Sequence, residues 1–322
     1  MTQPIGPYRL QSSAAEPHEA DGATATTHAG QPSSLAQRAL SYIHADAFFA
    51  SVGVKPQPDC AFDEGHDYER CGDDAPIVGP VLYMQQTSDA QAIAAGDVHQ
   101  SLAGDCALMA TLAALASSPT GRALVENAIK ENKNSQGDVV SYTVTMHEPK
   151  SHYWGLAAKT FSEVKVTVQS SFVLGHALPR GTVGFDQKEG PHEVWPLVLE
   201  QAYAAVRGGY NQTSRGDAPF RAMEALTGKP ADQHRVGWLG YSAEQIAADC
   251  AAGKLVVLDT KKSVNKAYQL VDGHAYQVVG TEVRNGKRCF TLNNPWNEQQ
   301  PDPIPCDELT KWFAAVDVGS VQ

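Results

Sequence analysis

A two-subdomain α+β fold is the class this sequence predicts, and three observations predict it. A helix-rich first half is followed by a strand-rich second half. The stretch DCALMATLAALASS places Leu108, Met109, Leu112, Leu115 and Ala116 at helical spacing, with Asp105 in the position of an N-cap. Three strand candidates, LVVLDT, HAYQVVGTEV and KRCFTLNN, then follow close together near the carboxyl end.

The remaining elements follow from local pattern. SYTVTMHE and EVKVTVQS alternate as half-buried strands do. EVWPLVLEQAYAAV returns to helical spacing, with Pro196 tolerable only in the first turn. FRAMEALTG and SAEQIAADCAAG read as two short helices. The folded body is expected to start near residue 80. Residues 1–34 are Ala, Ser, Thr, Gln, Gly and Pro with few large apolar side chains, so they are expected to be a disordered leader. Residues 35–79 form an amino-terminal extension, an amphipathic and helical stretch followed by an acidic segment rich in helix breakers.

Composition narrows the function classes. The 322 residues are 42% hydrophobic and 19% charged, ordinary for a globular protein. A formal net charge of -11 repels phosphate backbones and acidic lipid, which makes nucleic acid and membrane surfaces poor partners. No apolar run approaches the length of a membrane-spanning helix. The amino terminus lacks the basic start and apolar stretch of a secretory signal. A cytoplasmic location is expected, or export as a bacterial effector by a specialised machine. The 6 cysteines contain no CxxC pair, so neither a zinc ribbon nor a thioredoxin-type site is supported. Cys60 and Cys71 read either as a pair or, like most of the others, as small buried hydrophobes.

The segment with the most chemistry in it is DVHQSLAGDC. A thiol at the start of an apolar helix sits where unpaired N–H groups and the helix dipole favour negative charge, so Cys106 is expected to have a lowered pKa. Gln100, six residues upstream, can present its amide beside the sulfur. DGHAYQVVG puts His274 at the beginning of a strand, on a rim rather than in the core. FTLNNPWN places Asn294 before a proline, where the backbone is held extended and the side chain projects at a defined angle. Each has a plain structural reading when taken alone: a buried thiol, a satisfied histidine, a capping asparagine.

Together the segments resemble the catalytic core of the calpain family. The family pattern Gln-Gly-x-x-Gly-Asp/Asn-Cys stands here as Gln100, Gly104-Asp105-Cys106. Gly-His-Ala-Tyr stands as Gly273-His274-Ala275-Tyr276, and Asn-Pro-Trp-Gly as Asn294-Pro295-Trp296-Asn297. EVWPLVLEQAYAAVRGGY is similar to the family's Trp-x-x-Leu-Leu-Glu-Lys-Ala-Tyr helix, and AMEALTGKP to its segment ending in Leu-Thr-Gly-Gly.

The resemblance, running over residues 97–297, implies a papain-like fold for residues 80–322 and a cysteine endopeptidase acting on proteins or peptides. It implies Cys106 as nucleophile, His274 as base then acid, Asn294 as orienter and Gln100 as oxyanion donor. Trp296 would be a wedge beside the site, and Gly216 and Gly273 would hold an extended substrate. Asp97 and Glu193 stand where two acidic calcium ligands stand in the family; they read equally as calcium ligands or as two acids of an acidic protein. Asn297 replaces the glycine before the family's second calcium loop, so no cofactor is expected to be required, with Ca2+ as the one candidate. Ala107 stands where the family has an aromatic residue. The rival readings of the same triad are transglutaminase- or deamidase-type acyl transfer, and a binding module that keeps the fold.

Overall fold

The computed structural model describes residues 80–84, 91–100, 104–150, 159–170, 192–213, 216–237, 240–264, 266–297 and 299–321, with the short strand pieces Cys60–Ala61, Glu69–Arg70, Ala75–Pro76 and Val173–Leu174. The expected leader, the amphipathic helix after it and Cys71 lie outside the described residues.

Two helices open the body. Helix α1 is Cys106–Ala116 and α2 is Pro119–Ala128. Ser118 caps α2, its hydroxyl accepting from Gly121 N at 3.0 Å, and Pro119 supplies a first turn that needs no donor. Helix α1 is apolar all round: every residue from Ala107 to Ala116 is buried. A helix of that kind can only sit between two layers. On one side lie α2 and two later helices, backed by a three-stranded antiparallel sheet of β1 (Ile129–Lys133), β2 (Val139–Pro149) and β3 (Phe161–Gln169), in that order. Alternation in β2 and β3 sends Tyr142, Val144, Met146, Val164, Val166 and Val168 inward, as the period of two requires. Helices α3 (Trp195–Arg207) and α4 (Pro219–Thr227) complete this layer, each with proline in its first turn and a left-handed glycine, Gly208 or Gly228, at its end.

The second layer is a six-stranded antiparallel sheet. Its strands are β4 (Ala231–Arg235), β5 (Leu255–Thr260), β6 (Ala275–Arg284), β7 (Lys287–Asn293), β8 (Ile304–Pro305) and β9 (Phe313–Gly319). They lie in the order β4-β9-β5-β6-β7-β8. Helix α5 (Ala243–Ala251) covers the far face, started by a capping box in which Ser242 and Gln245 exchange side-chain and backbone bonds.

The α+β expectation holds, and every strand and helix expected from residue 106 onward is present. Sequence pattern did not reveal α2, β1, β4, β8 and β9. Helix α2 and strands β1 and β4 bury too few apolar residues to show a period, β8 is two residues long, and β9 is buried along most of its length instead of alternating. The assignment of Asp105 needs a correction. It occupies the N-cap position of α1 but makes no side-chain cap bond.

Helix α1 packs on β5 and β6 at the centre of the larger sheet. Gln277 of β6 donates to Ser117 Oγ at 2.7 Å and fixes the far end of α1 to the sheet. Leu112, wholly buried at mid-helix, should leave a cavity on truncation: Leu112→Ala is expected to cost about 2–5 kcal/mol. Ser242→Ala, an exposed cap, is expected to cost about 1 kcal/mol. Denaturant unfolding of the two variants checks the ranking.

Candidate active site

Cys106 is the first residue of α1, His274 immediately precedes β6, and Asn294 immediately follows β7. Because β6 and β7 are adjacent and antiparallel, with Gln277 opposite Asn293, the start of one and the end of the other lie side by side. Topology therefore brings His274 and Asn294 together across twenty residues of chain. His274 Nε2 lies 2.9 Å from Asn294 Oδ1, with both side chains buried. With the Asn294 oxygen as acceptor, Nε2 carries the proton and Nδ1 is the free base.

Each partner is held from behind. The Thr260 hydroxyl accepts from His274 N at 2.8 Å, and Thr260 N donates to His274 O at 2.9 Å. Asn294 N donates to Gln300 Oε1 at 2.9 Å and Gln300 Nε2 donates to Asn294 O at 3.2 Å, so one side-chain amide imitates a neighbouring strand. Trp296 N also donates to Asn294 Oδ1 at 3.1 Å. The Trp296 ring lies 4.7 Å from the His274 ring, tilted by 47°, and Tyr276 meets the imidazole edge-on at 4.9 Å. These aromatic walls exclude water from the His274–Asn294 bond.

The loop after Asn294 also docks on the segment before α1. Gln100 N donates to Pro295 O at 2.8 Å, and Asn297 Nδ2 donates to Gly96 O at 2.8 Å. Asn297 has φ of 60°, a left-handed conformation that glycine adopts freely and asparagine tolerates. The departure from glycine at this position thus keeps the turn and adds a bond across to residue 96.

The thiol lies beside the start of β6: the backbone N–H groups of Ala275, the residue after His274, and of Ala107 favour its anionic form. Burial nevertheless pushes the thiol up to about 12, and the carboxylates of Asp259 and Asp105 add to this. Burial pushes His274 down to about 4, opposed by its bond to Asn294. The expectation of a helix-start thiol with a lowered pKa is therefore corrected: desolvation and two nearby carboxylates outweigh the N–H groups.

Gly273 has φ of 59° and Gly216 φ of 86°, and an added side chain at either would meet open space rather than protein. Both glycines leave a stretch of backbone uncovered. Next to Gly216, Asp217 accepts from the Tyr203 hydroxyl at 2.7 Å, Arg207 Nε at 2.8 Å and Arg221 at 3.2 Å. Sequence reasoning did not find Asp217, Thr260 or Gln300, because their partners lie across turns that no periodic pattern marks.

Asp97 and Glu193 are buried on either side of Trp195. Asp97 Oδ2 accepts from Ala94 N and, at 3.1 Å, from Trp195 Nε1, while Glu193 Oε1 accepts from Met84 N at 2.8 Å. Calcium takes six to eight oxygens. Among the described residues no three His, Cys, Asp or Glu side chains are grouped as a metal site. The acids present join the Trp195 helix to Met84 and to the Ala94–Asp97 turn and, among the described residues, do not by themselves make a cation cage.

A thiol at a helix start, an imidazole and an asparagine converging from two layers define the papain-like class of thiol hydrolase site. A model described as calpain family cysteine protease matches residues 82–317. The chain belongs to the calpain family of cysteine proteases. It is 26% identical over 231 residues to the calpain-1 catalytic subunit of Homo sapiens, covering 67% of this chain and 29% of that one. It is 24% identical over 233 residues to a calpain of Schistosoma mansoni, covering 67% and 28%. For calpain-8 of Rattus norvegicus the figures are 25% over 231 residues, 67% and 30%. The chain thus spans less than a third of the length of these curated relatives.

A histidine held neutral by burial has a consequence for stability. Its folded-state pKa, about 4, lies below the ordinary 6.5, so the folded state binds fewer protons there than the unfolded chain. Its contribution is intact above pH 6.5 and is lost as pH falls from 6.5 to 4. Thermal melts of His274→Gln, which does not titrate, should fall less steeply than wild type across that window.

Proposed function

We propose that the chain is a cysteine endopeptidase that hydrolyses protein or peptide substrates through a thioester on Cys106. The observation that carries this reading is the water-excluded bond between His274 Nε2 and Asn294 Oδ1, set beside the first turn of α1. His274 Nδ1 takes the thiol proton as sulfur bonds to the peptide carbonyl carbon. The tetrahedral intermediate collapses, the C–N bond breaks, and the leaving amine takes the proton from the imidazole. Water then attacks the thioester, giving up a proton to Nδ1, and the thiol is restored as the acid leaves. Gln100, docked by its backbone on Pro295, and the Cys106 N–H are the donors for the oxyanion. Gly216 and Gly273 offer the bare backbone against which an extended peptide can lie, and Trp296 covers the histidine.

Calcium is assigned no step. Residues 94–100 are joined to the Asn294–Asn297 loop by direct hydrogen bonds, which supports a cleft that holds its geometry without a cation.

Cys106→Ala is expected to abolish cleavage of a casein or peptide library while leaving the far-ultraviolet circular dichroism unchanged; turnover near that of wild type would end the reading. His274→Ala should be as inactive, and Asn294→Ala should retain more activity, since an orienter affects geometry and tautomer rather than the proton itself. Equal loss in both would misassign Asn294. Wild type should keep cleaving in excess chelator, and strict dependence on added calcium would contradict the calcium-free cleft. Asp217→Ala, which releases the turn beside Gly216, should raise KM for long peptides severalfold with a smaller change in kcat.

A further inference from the structure

Directly before the nucleophile stands a carboxyl that does not do what its position invites. Asp105 is the N-cap residue of α1, yet its side chain caps nothing. It is buried, as is Glu200 of α3, and the two carboxyl groups lie within hydrogen-bond reach of each other. No N–H or hydroxyl of another described residue reaches any of the four carboxyl oxygens, and Asp105's own N–H leans on its side chain. Two ionised carboxylates cannot occupy such a place together, whereas a carboxylic acid donating to a carboxylate can.

We propose that Asp105 and Glu200 share one proton in a carboxyl–carboxyl bridge, and that this bridge is a positioning device tying the Cys106 turn of α1 to α3 and setting the charge beside the sulfur. Glu200 is the donor and Asp105 the acceptor. Burial raises both groups, Asp105 to about 6 and Glu200 further, and the bond between them lowers Asp105 while raising Glu200. Below pH 6 the bridge is neutral. Above it the Asp105 end carries a negative charge next to Cys106, and that charge disfavours the thiolate.

The titratable groups on the surrounding elements are otherwise engaged. Asp97 binds Trp195 and Ala94, Glu193 binds Met84, and Tyr203 on α3 donates to Asp217, while Glu224 on α4 accepts from Lys159 and Arg122 on α2 donates to Ala116 O. The inward face of β2 and β3 brings only Tyr142 among apolar residues. Asp259 on β5 acts on Cys106, and neither it nor His274, just before β6, acts on Asp105 or Glu200.

The consequence for catalysis rests on Cys106 being the nucleophile, but the test reads the thiol itself, so it stands whether or not the chain cuts peptides. The rate of Cys106 alkylation by iodoacetamide is followed against pH, by mass spectrometry of the Cys106 peptide, with Tm measured alongside. In wild type the logarithm of the rate should rise with pH, flatten in a shoulder near pH 6 as Asp105 ionises, and rise again. Asp105→Asn should remove the shoulder and speed alkylation above pH 7 about tenfold, the effect of one unit in thiol pKa. Glu200→Gln keeps a neutral donor to Asp105 and should leave the shoulder near its wild-type position. Glu200→Leu removes the donor and should move it to higher pH. A shift in Leu that Gln does not share establishes the carboxyl–carboxyl bond. A wild-type profile without a shoulder, or an Asp105→Asn or Glu200→Leu that overlays wild type whatever its Tm, would reduce the pair to core filling and overturn the proposal.

Discussion

Exclusion of water from the junction between α1 and the edges of β6 and β7 is the constraint on which the rest of the site depends. Helix α1 has no polar face, so it sits between the two layers with its first residue at their meeting line. There the burial that stabilises the protein acts against every charge the chemistry could use. The thiol is pushed up and the imidazole down, and the hydrogen bond of His274 to Asn294 only partly offsets the second effect.

The same exclusion accounts for the hydrogen bonds around the triad. In a wet cleft a histidine could be oriented by solvent. Here the backbone of residue 274 is held by Thr260, and that of residue 294 by Gln300. The loop beyond is tied to Gly96 and Gln100, so paired polar groups fix the register of the layers at the site, where the apolar contact of α1 with the sheet ends. A buried N–H or carbonyl left unpaired at this junction would cost more than the bond itself contributes, which makes each of these side chains a requirement of the geometry.

Acidic groups are concentrated near the nucleophile. Asp105 meets Glu200 before α1. Asp259 and Asp317 meet across β5 and β9, where burial and its neighbour push Asp259 up to about 9, while Asp317 accepts from Phe220 N at 3.0 Å and Gln233 Nε2 at 3.2 Å. Neither pair is neutralised by a lysine or arginine among the groups that shift it. A protein with a net charge of -11 has few cations to spare for its interior. Shared protons serve instead, and they make the charge around Cys106 a function of pH in a way that arginine pairs would not.

Several elements were legible in the sequence because they are local. The spacing of Leu108, Met109, Leu112 and Leu115 determined α1, alternation determined β2 and β3, and proline and glycine marked the ends of α3 and α4. The positions of Cys106 at a helix start, His274 at a strand start and Asn294 before a proline were also determined by residue type and neighbours alone. What only the tertiary structure decided is what those residues meet. That Asp105 would turn from its own helix end to Glu200, that Asp97 would bind the Trp195 indole, that Asn297 would reach Gly96, and that the thiol would be raised rather than lowered all depend on contacts between segments far apart in the chain. A side chain's hydrogen-bond partners and its solvation are properties of the packed layers. Periodicity reports which face of an element is buried, and it carries no information about which polar group waits on the other side.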